Sequence, residues 1–270
     1  MYKSIVLLCL LLISCVSQRE LRLYRNVIGN KNPMYFYADE YDNIVFSSRY
    51  EDARQYAEGL AAVKQGGKWG FINMAGQTVI PFRYDWCSSF GEYGFDKHIA
   101  VIKMDVNKDR IPMLTPCPTA LIDANGKQIT PFYGFMYPIE HDLSVVNDGK
   151  ALHNIGRELS AFDGKWGCIN SKGKLVVPCE FDLIYPFKDI ITFAQKDGKW
   201  GVLNETGKLI IPCEFDAGYF KNGYFTMDTV VDTDGRDSVF LQELQEKTIY
   251  LVIDDNVAVF NMKGRRIRRL

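Results

Sequence analysis

The feature that most constrains the fold is an internal repeat. The heptapeptide Gly-Lys-Trp-Gly-apolar-apolar-Asn occurs at residues 67–73, 164–170 and 198–204, and its last two tryptophans are 34 residues apart. Each copy continues with a glycine and an aliphatic run that ends in a proline, at Pro81, Pro178 and Pro212. A repeat of this length predicts a supersecondary unit that buries its apolar surface only by packing on its neighbours.

Two degenerate copies extend the pattern. Residues 120–132 keep the second half of the repeat but lack Trp-Gly, and residues 257–267 are weaker still. The pattern is lost in residues 86–118, 133–162 and 217–255, so the number of units stays open.

Within one copy the residues predict a β-meander. Residues 60–63 are a short apolar strand, Gly66-Gly67 is a turn, and residues 68–73 alternate in polarity, with Trp69 and Phe71 on one face. A glycine beside a strand tryptophan marks the close approach of another backbone or ring. With a return strand over residues 78–80, we expect three strands in a unit of about 34 residues.

The second turn of the unit has its own signature. Asn73 caps the turn through its side chain, and Gly76 takes the left-handed conformation that such a turn needs. Pro81 lacks an N–H group, so it ends the ladder of hydrogen bonds or lies on a sheet edge.

These copies resemble the bacterial WG repeat family, whose units carry Gly-Lys-Trp-Gly, then Gly-Lys, then Val-Ile-Pro and an aromatic-Asp pair. The resemblance covers about residues 50–270 and implies a bacterial repeat protein with no catalytic residues to carry over. The predicted fold is all-β: tandem meanders packed as an open twisted array, with a closed propeller-like ring as the alternative. We assign residues 51–270 to the repeat domain and residues 15–50 to an anchor, linker and β capping segment.

The N-terminus predicts export and a lipid anchor. Lys3 precedes an apolar run over residues 5–13, which is too short to span a bilayer. The run ends at Leu12-Ile13-Ser14-Cys15, which resembles a bacterial lipobox, and polar residues follow at once. We therefore expect a signal peptide over residues 1–14 and lipidation of Cys15, which would place the protein at the cell envelope, on the periplasmic side rather than the cell surface.

Composition argues against nucleic acid as a partner. Lys plus Arg number 32 and Asp plus Glu number 33, so the chain has no electrostatic drive toward a polyanion.

The Trp-Gly pairs that form the repeat signature allow two interpretations. The residues concerned are Trp69, Gly70, Trp166, Gly167, Trp200 and Gly201. Exposed tryptophans at regular spacing would suit a glycan, but the fixed glycine after each one favours packing in the core. Trp86 lies outside the repeat position and is freer to be on the surface.

The acidic clusters have structural explanations that compete with functional ones. Glu180 and Asp182, like Glu214 and Asp216, put two carboxylates on one strand face, but a catalytic pair is needed once, and turn formation by the aspartate is simpler. Residues 105–109 imitate the start of a calcium loop, yet Arg110 and Pro116 occupy positions that need Gly and Glu, so a polar turn is favoured. The aspartates between residues 228 and 237 suit a solvated hairpin as well as an ion site.

Cysteine and histidine spacing predicts neither a metal nor a cofactor. Cys9 would be removed with the signal peptide, and Cys15 would carry the lipid. The remaining cysteines are Cys87, Cys117, Cys168, Cys179 and Cys213. No Cys-x-x-Cys pair occurs, and His98, His141 and His153 lack ligand spacing. Buried thiols are favoured, while an oxidising compartment leaves one disulfide open.

The basic end, residues 265–269, would contact anionic headgroups or polymers, or would protect an edge strand from further pairing, which we favour. A short helix is expected over residues 241–247.

The sequence thus predicts a non-catalytic, envelope-anchored binding or scaffolding module that acts through its β-repeat surface. Its partner is a protein or an envelope polysaccharide, and the alternative function is a carbohydrate- or peptidoglycan-binding lipoprotein. A third possibility, an enzyme built from the irregular stretches, needs a cleft lined by Asp105, His98 or His141.

Overall fold

The structure is a computed structural model, and it describes residues 21–26, 34–46, 50–106, 117–150, 163–187, 190–220, 248–253 and 256–269. The chain divides into two compact units, Met1–Arg83 and Tyr84–Leu270.

The first unit holds a β-hairpin and one four-stranded sheet. The hairpin pairs β1 (Arg22–Asn26) with β2 (Met34–Ala38) in antiparallel register. Sheet A follows in chain order, with β3 (Asp52–Ala53), β4 (Leu60–Gln65), β5 (Lys68–Asn73) and β6 (Thr78–Tyr84), which ends at the unit boundary.

The second unit holds four sheets that follow one another along the chain. Sheet B consists of β7 (Trp86–Cys87), β8 (Ile99–Lys103) and β9 (Thr119–Asp123), with a 3₁₀ turn at Glu92–Gly94. Sheet C consists of β10 (Phe135–Met136), β11 (Leu143–Asn147), β12 (Trp166–Asn170) and β13 (Leu175–Phe181). Sheet D consists of β14 (Leu183–Ile184), β15 (Ile191–Lys196), β16 (Lys199–Asn204) and β17 (Leu209–Phe215). Sheet E consists of β18 (Ala217–Phe220), β19 (Thr248–Ile253), β20 (Asn256–Asn261) and β21 (Arg266–Arg269).

The all-β class and the tandem meanders are confirmed. No sheet within the described ranges closes into a barrel, which fits the expected open array. The expectation of three strands per unit is wrong for sheets A, C, D and E, which have four. The extra strand comes first, and it is only two residues long in sheets A, C and D, too short to show an alternating pattern.

In sheets A, C, D and E, the turn between the last two strands is formed by one side chain, and in sheet B the same turn follows β9. In sheet D, Asn204 Oδ1 accepts the backbone N–H groups of Thr206 and Lys208, 3.1 and 2.9 Å away, and Gly207 has φ +76°. The same pair of bonds recurs at Asn73, Asp123, Asn170 and Asn261. The predicted asparagine cap and left-handed glycine are therefore confirmed, including in both degenerate copies.

The glycine after each repeat tryptophan lies beneath a bulge of the edge strand. In sheet D, Trp200 pairs with Phe215 and Val202 with Ile211, so Gly201 alone opposes the three residues 212–214. A β-carbon at Gly201 would lie 2.6 Å from the Ile211 carbonyl oxygen. The predicted close approach is thus to the backbone of the neighbouring strand.

The prolines of the repeat lie within these edge strands. Pro81, Pro178 and Pro212 belong to β6, β13 and β17, each the outermost strand of its sheet. An edge strand has one side without a partner, so a residue that lacks an N–H group is tolerated there.

Sheets C and D bury apolar residues on both of their faces. In β16, Trp200 and Val202 pack in a core shared with sheet E, whereas Leu203 packs in a core shared with sheet C. In β12, Trp166 faces sheet D and Ile169 faces sheet B. Sheets C and D are each therefore covered by the sheet before and the sheet after, as expected for a repeat that buries its apolar surface against its neighbours.

The N-terminal segment of the first unit repeats the same turn. Asp39 Oδ1 accepts the N–H groups of Tyr41 and Asn43, both at 2.9 Å, and Asp42 has φ +64° where the other copies have glycine. Tyr37 lies at the centre of the adjoining core with Tyr50 and Ile72. Residues 34–46 thus share the turn chemistry of the repeats.

We predict that Gly201→Ala lowers the free energy of unfolding by about 3 kcal/mol, because the new methyl group meets a fixed backbone oxygen. Gly198→Ala is the matched control. Gly198 has φ +74° but no atom within 4 Å of its added β-carbon, so only backbone strain of about 1 kcal/mol applies. Urea denaturation compares the two variants, and equal losses would contradict the steric argument.

We predict that Asn204→Ala costs about 1–2 kcal/mol, since two backbone N–H groups lose their acceptor. Asn204→Asp should keep most of the stability, because Asp123 makes the same two bonds in sheet B. Thermal unfolding of both variants tests this, and a loss from Asn204→Asp as large as from Asn204→Ala would refute the acceptor role.

Candidate binding surface

The repeat tryptophans are core residues. Trp69, Trp166 and Trp200 are 4%, 5% and 8% exposed. The ring of Trp200 stacks on Tyr185 at 5.8 Å between centroids, and Trp166 lies 6.3 Å from Tyr137. None of these rings offers a face on which a sugar could stack.

Trp86, which the sequence left freer than the repeat tryptophans to lie on the surface, is buried. Trp86 is 7% exposed and packs with Phe95, Ile99 and Val101 in the core between sheets B and C. It lies in the two-residue first strand of sheet B, which sequence analysis did not recognise, and that strand turns its side chain inward.

The recurring carboxylates form ion pairs. Asp182 Oδ1 lies 2.5 Å from Lys165 Nζ, and its other oxygen accepts the N–H group of Gly198 at 3.0 Å. The hydrogen bond from Lys165 lowers the pKa of Asp182. Asp182 thus binds Lys165, which immediately precedes β12 of sheet C, and Gly198, in a turn of sheet D. These contacts support a structural role for Asp182 over membership of an acid–base pair.

Two further carboxylates of these runs form ion pairs. Glu180 pairs with Lys196 at 3.0 Å, and Asp216 pairs with Lys199. Both pairs lie at the surface, and the Asp216–Lys199 pair repeats the Asp182–Lys165 pair one sheet later.

The described cysteines are free thiols. Cys87, Cys117 and Cys168 are buried, while Cys179 and Cys213 are partly buried. Burial raises the pKa of Cys179 to about 11 and that of Cys168 further. Cys179 and Cys168 therefore keep their thiol protons at neutral pH, and the five described cysteines form no disulfide with one another.

The histidine and aspartate residues proposed for an enzyme lie at the surface. His98, His141 and Asp105 are not buried, and the backbone N–H groups of His98 and Asp105 bind Asp96 and Asp85. A small cleft between sheets C and D is lined by other residues, among them Tyr137, Pro138, Glu140, Pro186 and Phe187. No group of three His, Cys, Asp or Glu residues able to hold a metal occurs in the described ranges.

The surface that does recur is aliphatic. Four side chains on the outer edges of sheets B, C and D are between 38% and 46% exposed, and we call them the edge row: Ile129, Leu175, Val176 and Leu209. In the first unit, Val79 holds the corresponding place on β6 and is 40% exposed. The turn at Gly207 approaches Val176, so the following sheet covers part of the row and leaves the rest to solvent.

The basic end lies on an edge. β21 is the outermost strand of sheet E and pairs only with β20 in that sheet. Arg265, Arg266 and Ile267 are exposed. This position agrees with the favoured interpretation of charge on an edge strand.

Sheet B contains a buried polar pair that was not predicted from the sequence. Lys103 is fully buried in β8, and Cys117 is 4% exposed. Two features of the sequence could have indicated this pair. A strand over residues 99–103 places Lys103 on the same face as Ile99 and Val101, and the Trp-Gly pair of the repeat is absent at residues 119–120.

Several predicted features lie outside the described residues. They are the signal peptide over residues 1–14, Cys15, His153, the aspartates 228–237, the helix over 241–247 and most of the calcium-like loop. Within the described ranges, no helix has the length and hydropathy needed to cross a membrane.

Comparisons with solved structures give remote likenesses. A crystal structure of the eukaryotic initiation factor is 9% identical with a TM-score of 0.29, covering 93% of this chain and 75% of that chain. A crystal structure of the tricorn protease is 12% identical with a TM-score of 0.26, covering 93% of this chain and 26% of that chain. Neither likeness bears on function. Among curated proteins, none matches this sequence.

The family comparison agrees with the repeats. The model of the WG containing repeat matches residues 35–69, 69–105, 166–200 and 200–227. The first match begins within the predicted capping segment, where Asp39 forms the repeat's turn. The matches meet at Trp69 and Trp200, the residues that recur in the sequence and fill the cores of the sheets. The chain is a WG-repeat protein.

Proposed function

We propose that this WG-repeat protein is a non-catalytic binding and scaffolding module that holds a protein partner through the edge row, and that a lipid on Cys15 anchors it at the bacterial cell envelope. The main support for this proposal is the exposure of the edge row. Its aliphatic side chains recur at the margins of successive sheets and remain more than one-third exposed.

The chemistry of the edge row favours protein over polysaccharide. Exposed aliphatic side chains that recur along one structure are typical of protein interfaces, where an apolar centre is surrounded by charged residues. Here the ion pairs Glu180–Lys196 and Lys165–Asp182 belong to the same sheets. A glycan site would need exposed rings, and all four tryptophans are buried.

The anchor rests on the sequence alone. The short apolar run, the Leu-Ile-Ser-Cys tetrad and the polar residues after it suit a cleaved, lipidated N-terminus. A lipid there would hold the repeats near the membrane, on the periplasmic side, where a scaffold for envelope proteins would act.

We predict that the double variant Leu175→Ser, Leu209→Ser weakens capture of an envelope protein at least about tenfold, since each substitution removes apolar contact area from the interface. The chain from residue 16 onward serves as bait for an envelope protein extract and, separately, for envelope polysaccharide. The matched control is Lys174→Ser, Lys208→Ser, which alters exposed neighbours of the same two residues.

Capture of one defined protein by the wild type and the lysine control, but not by the leucine variant, is the expected result. Retention on polysaccharide that the leucine variant leaves unchanged would reject the edge row and favour the carbohydrate-binding alternative.

We predict that the full chain made in bacteria fed radiolabelled palmitate incorporates label, and that Cys15→Ser abolishes it and releases the protein from the membrane fraction. Cys9→Ser is the matched control, because it changes a cysteine inside the apolar run and should leave labelling intact. Label that persists in Cys15→Ser would exclude this residue as the anchor.

A further inference from the structure

Sheet B departs from the repeat at the position of the tryptophan. In sheets C and D, the second strand places Asn147 opposite Trp166 and Gln195 opposite Trp200. In sheet B the corresponding pair is Lys103 opposite Thr119. A small hydroxyl residue thus replaces a large ring, and the long side chain of Lys103 is fully buried on that face.

Cys117 lies beside this lysine. It precedes β9 by two residues, and the Thr119 hydroxyl donates a hydrogen bond of 2.9 Å to its carbonyl oxygen. The N–H group of Met104 bonds to the carbonyl of Pro118 at 2.9 Å, which extends the pairing of the two strands. These bonds hold the segment against β8, and the Cys117 thiol and the Lys103 amine are hydrogen-bonded.

Burial shifts the pKa values of the two groups in opposite directions. It lowers the pKa of Lys103 and raises the pKa of Cys117, because each charged form loses hydration, while the contact between the two groups opposes both shifts. Burial thus increases the uncharged fraction of the Lys103 amine. An amine without its extra proton carries the lone pair that a nucleophile needs.

We propose that Lys103 and Cys117 form a redox-responsive modification site, at which hydrogen peroxide oxidises the thiol and the amine then closes a covalent S–N bond between the two side chains.

The chemistry balances in two steps. The Lys103 amine takes the proton of the Cys117 thiol, the thiolate sulfur attacks one oxygen of hydrogen peroxide and the O–O bond breaks; the displaced hydroxide then removes that proton from the ammonium, which gives a sulfenic acid, water and the uncharged amine. The Lys103 nitrogen then attacks the sulfur, the S–O bond breaks, and the hydroxide leaves with one N–H proton as a second water. Sulfur is oxidised and peroxide is reduced, and the condensation itself is redox-neutral.

The product would join the end of β8 covalently to the residue that leads into β9. Reduction of the S–N bond by an external thiol would restore both side chains. The site is thus a reversible cross-link within one sheet, and it uses a buried pair that the proposed binding surface does not involve.

The test is peptide mapping of the purified full chain after treatment with hydrogen peroxide. The expected result is a species that joins the peptide containing Lys103 to the peptide containing Cys117, lighter than their sum by two hydrogen atoms. Trypsin no longer cleaves after Lys103 in this species, and dithiothreitol returns the two separate peptides.

Two variants check the assignment. Lys103→Met should lose the cross-link, with Cys117 oxidised to sulfinic acid instead. Cys168→Ser is the matched control, since Cys168 is equally buried but lies in the core between sheets C and D, and it should leave the cross-link unchanged. Wild-type protein that shows only oxygenated Cys117 with Lys103 still cleavable, or a link that retains an oxygen atom, would overturn the proposal.

Discussion

The close approach between the glycine of each Trp-Gly pair and the edge strand is the constraint on which the sheets depend. Gly201 opposes three residues of β17, and a bulge of this kind bends the outer strand. The bend brings Phe215 opposite Trp200, and the Phe215 ring meets Phe260 of the next sheet edge to face at 5.6 Å. The tryptophan, glycine, bulge and aromatic residue therefore act as one steric unit, which explains why they recur together.

The sequence repeat and the sheet do not coincide. The family match over residues 166–200 contains the last two strands of sheet C and the first two strands of sheet D. Each repeat therefore contributes to two sheets. Asp182, which lies between them, pairs with Lys165 at the start of β12 and accepts the N–H group of Gly198 in the turn of sheet D. Sheets C, D and E are consequently joined by the chain itself, by shared cores and by the ion pairs Lys165–Asp182 and Lys199–Asp216.

Features formed by residues close together in the sequence could be predicted, whereas features formed by contacts between residues far apart in the sequence could not. The turn at Asn204 follows from the side chain and the glycine that form it. The short strand β14 is too brief to show a period and exists only because β15 pairs with it. The burial of Trp86 likewise depends on the face that sheet C presents to sheet B. For the proposed binding surface, the sequence shows the aliphatic run at Leu175 but does not predict its exposure. The bulge determines which side chains of that run face the solvent.

The regular sheets leave little room inside for any role besides packing. A residue such as Trp166 is enclosed by its own edge strand and by the next sheet, so a change there alters the fold before it alters function. Side chains with another role are therefore to be sought at the exposed edges or where a copy has lost its signature. Sheet B is such a copy, since Thr119 stands opposite Lys103 where the other sheets have a tryptophan. Degeneration of one repeat has thus left a buried lysine and a buried thiol in a core that the intact copies fill with an aromatic ring.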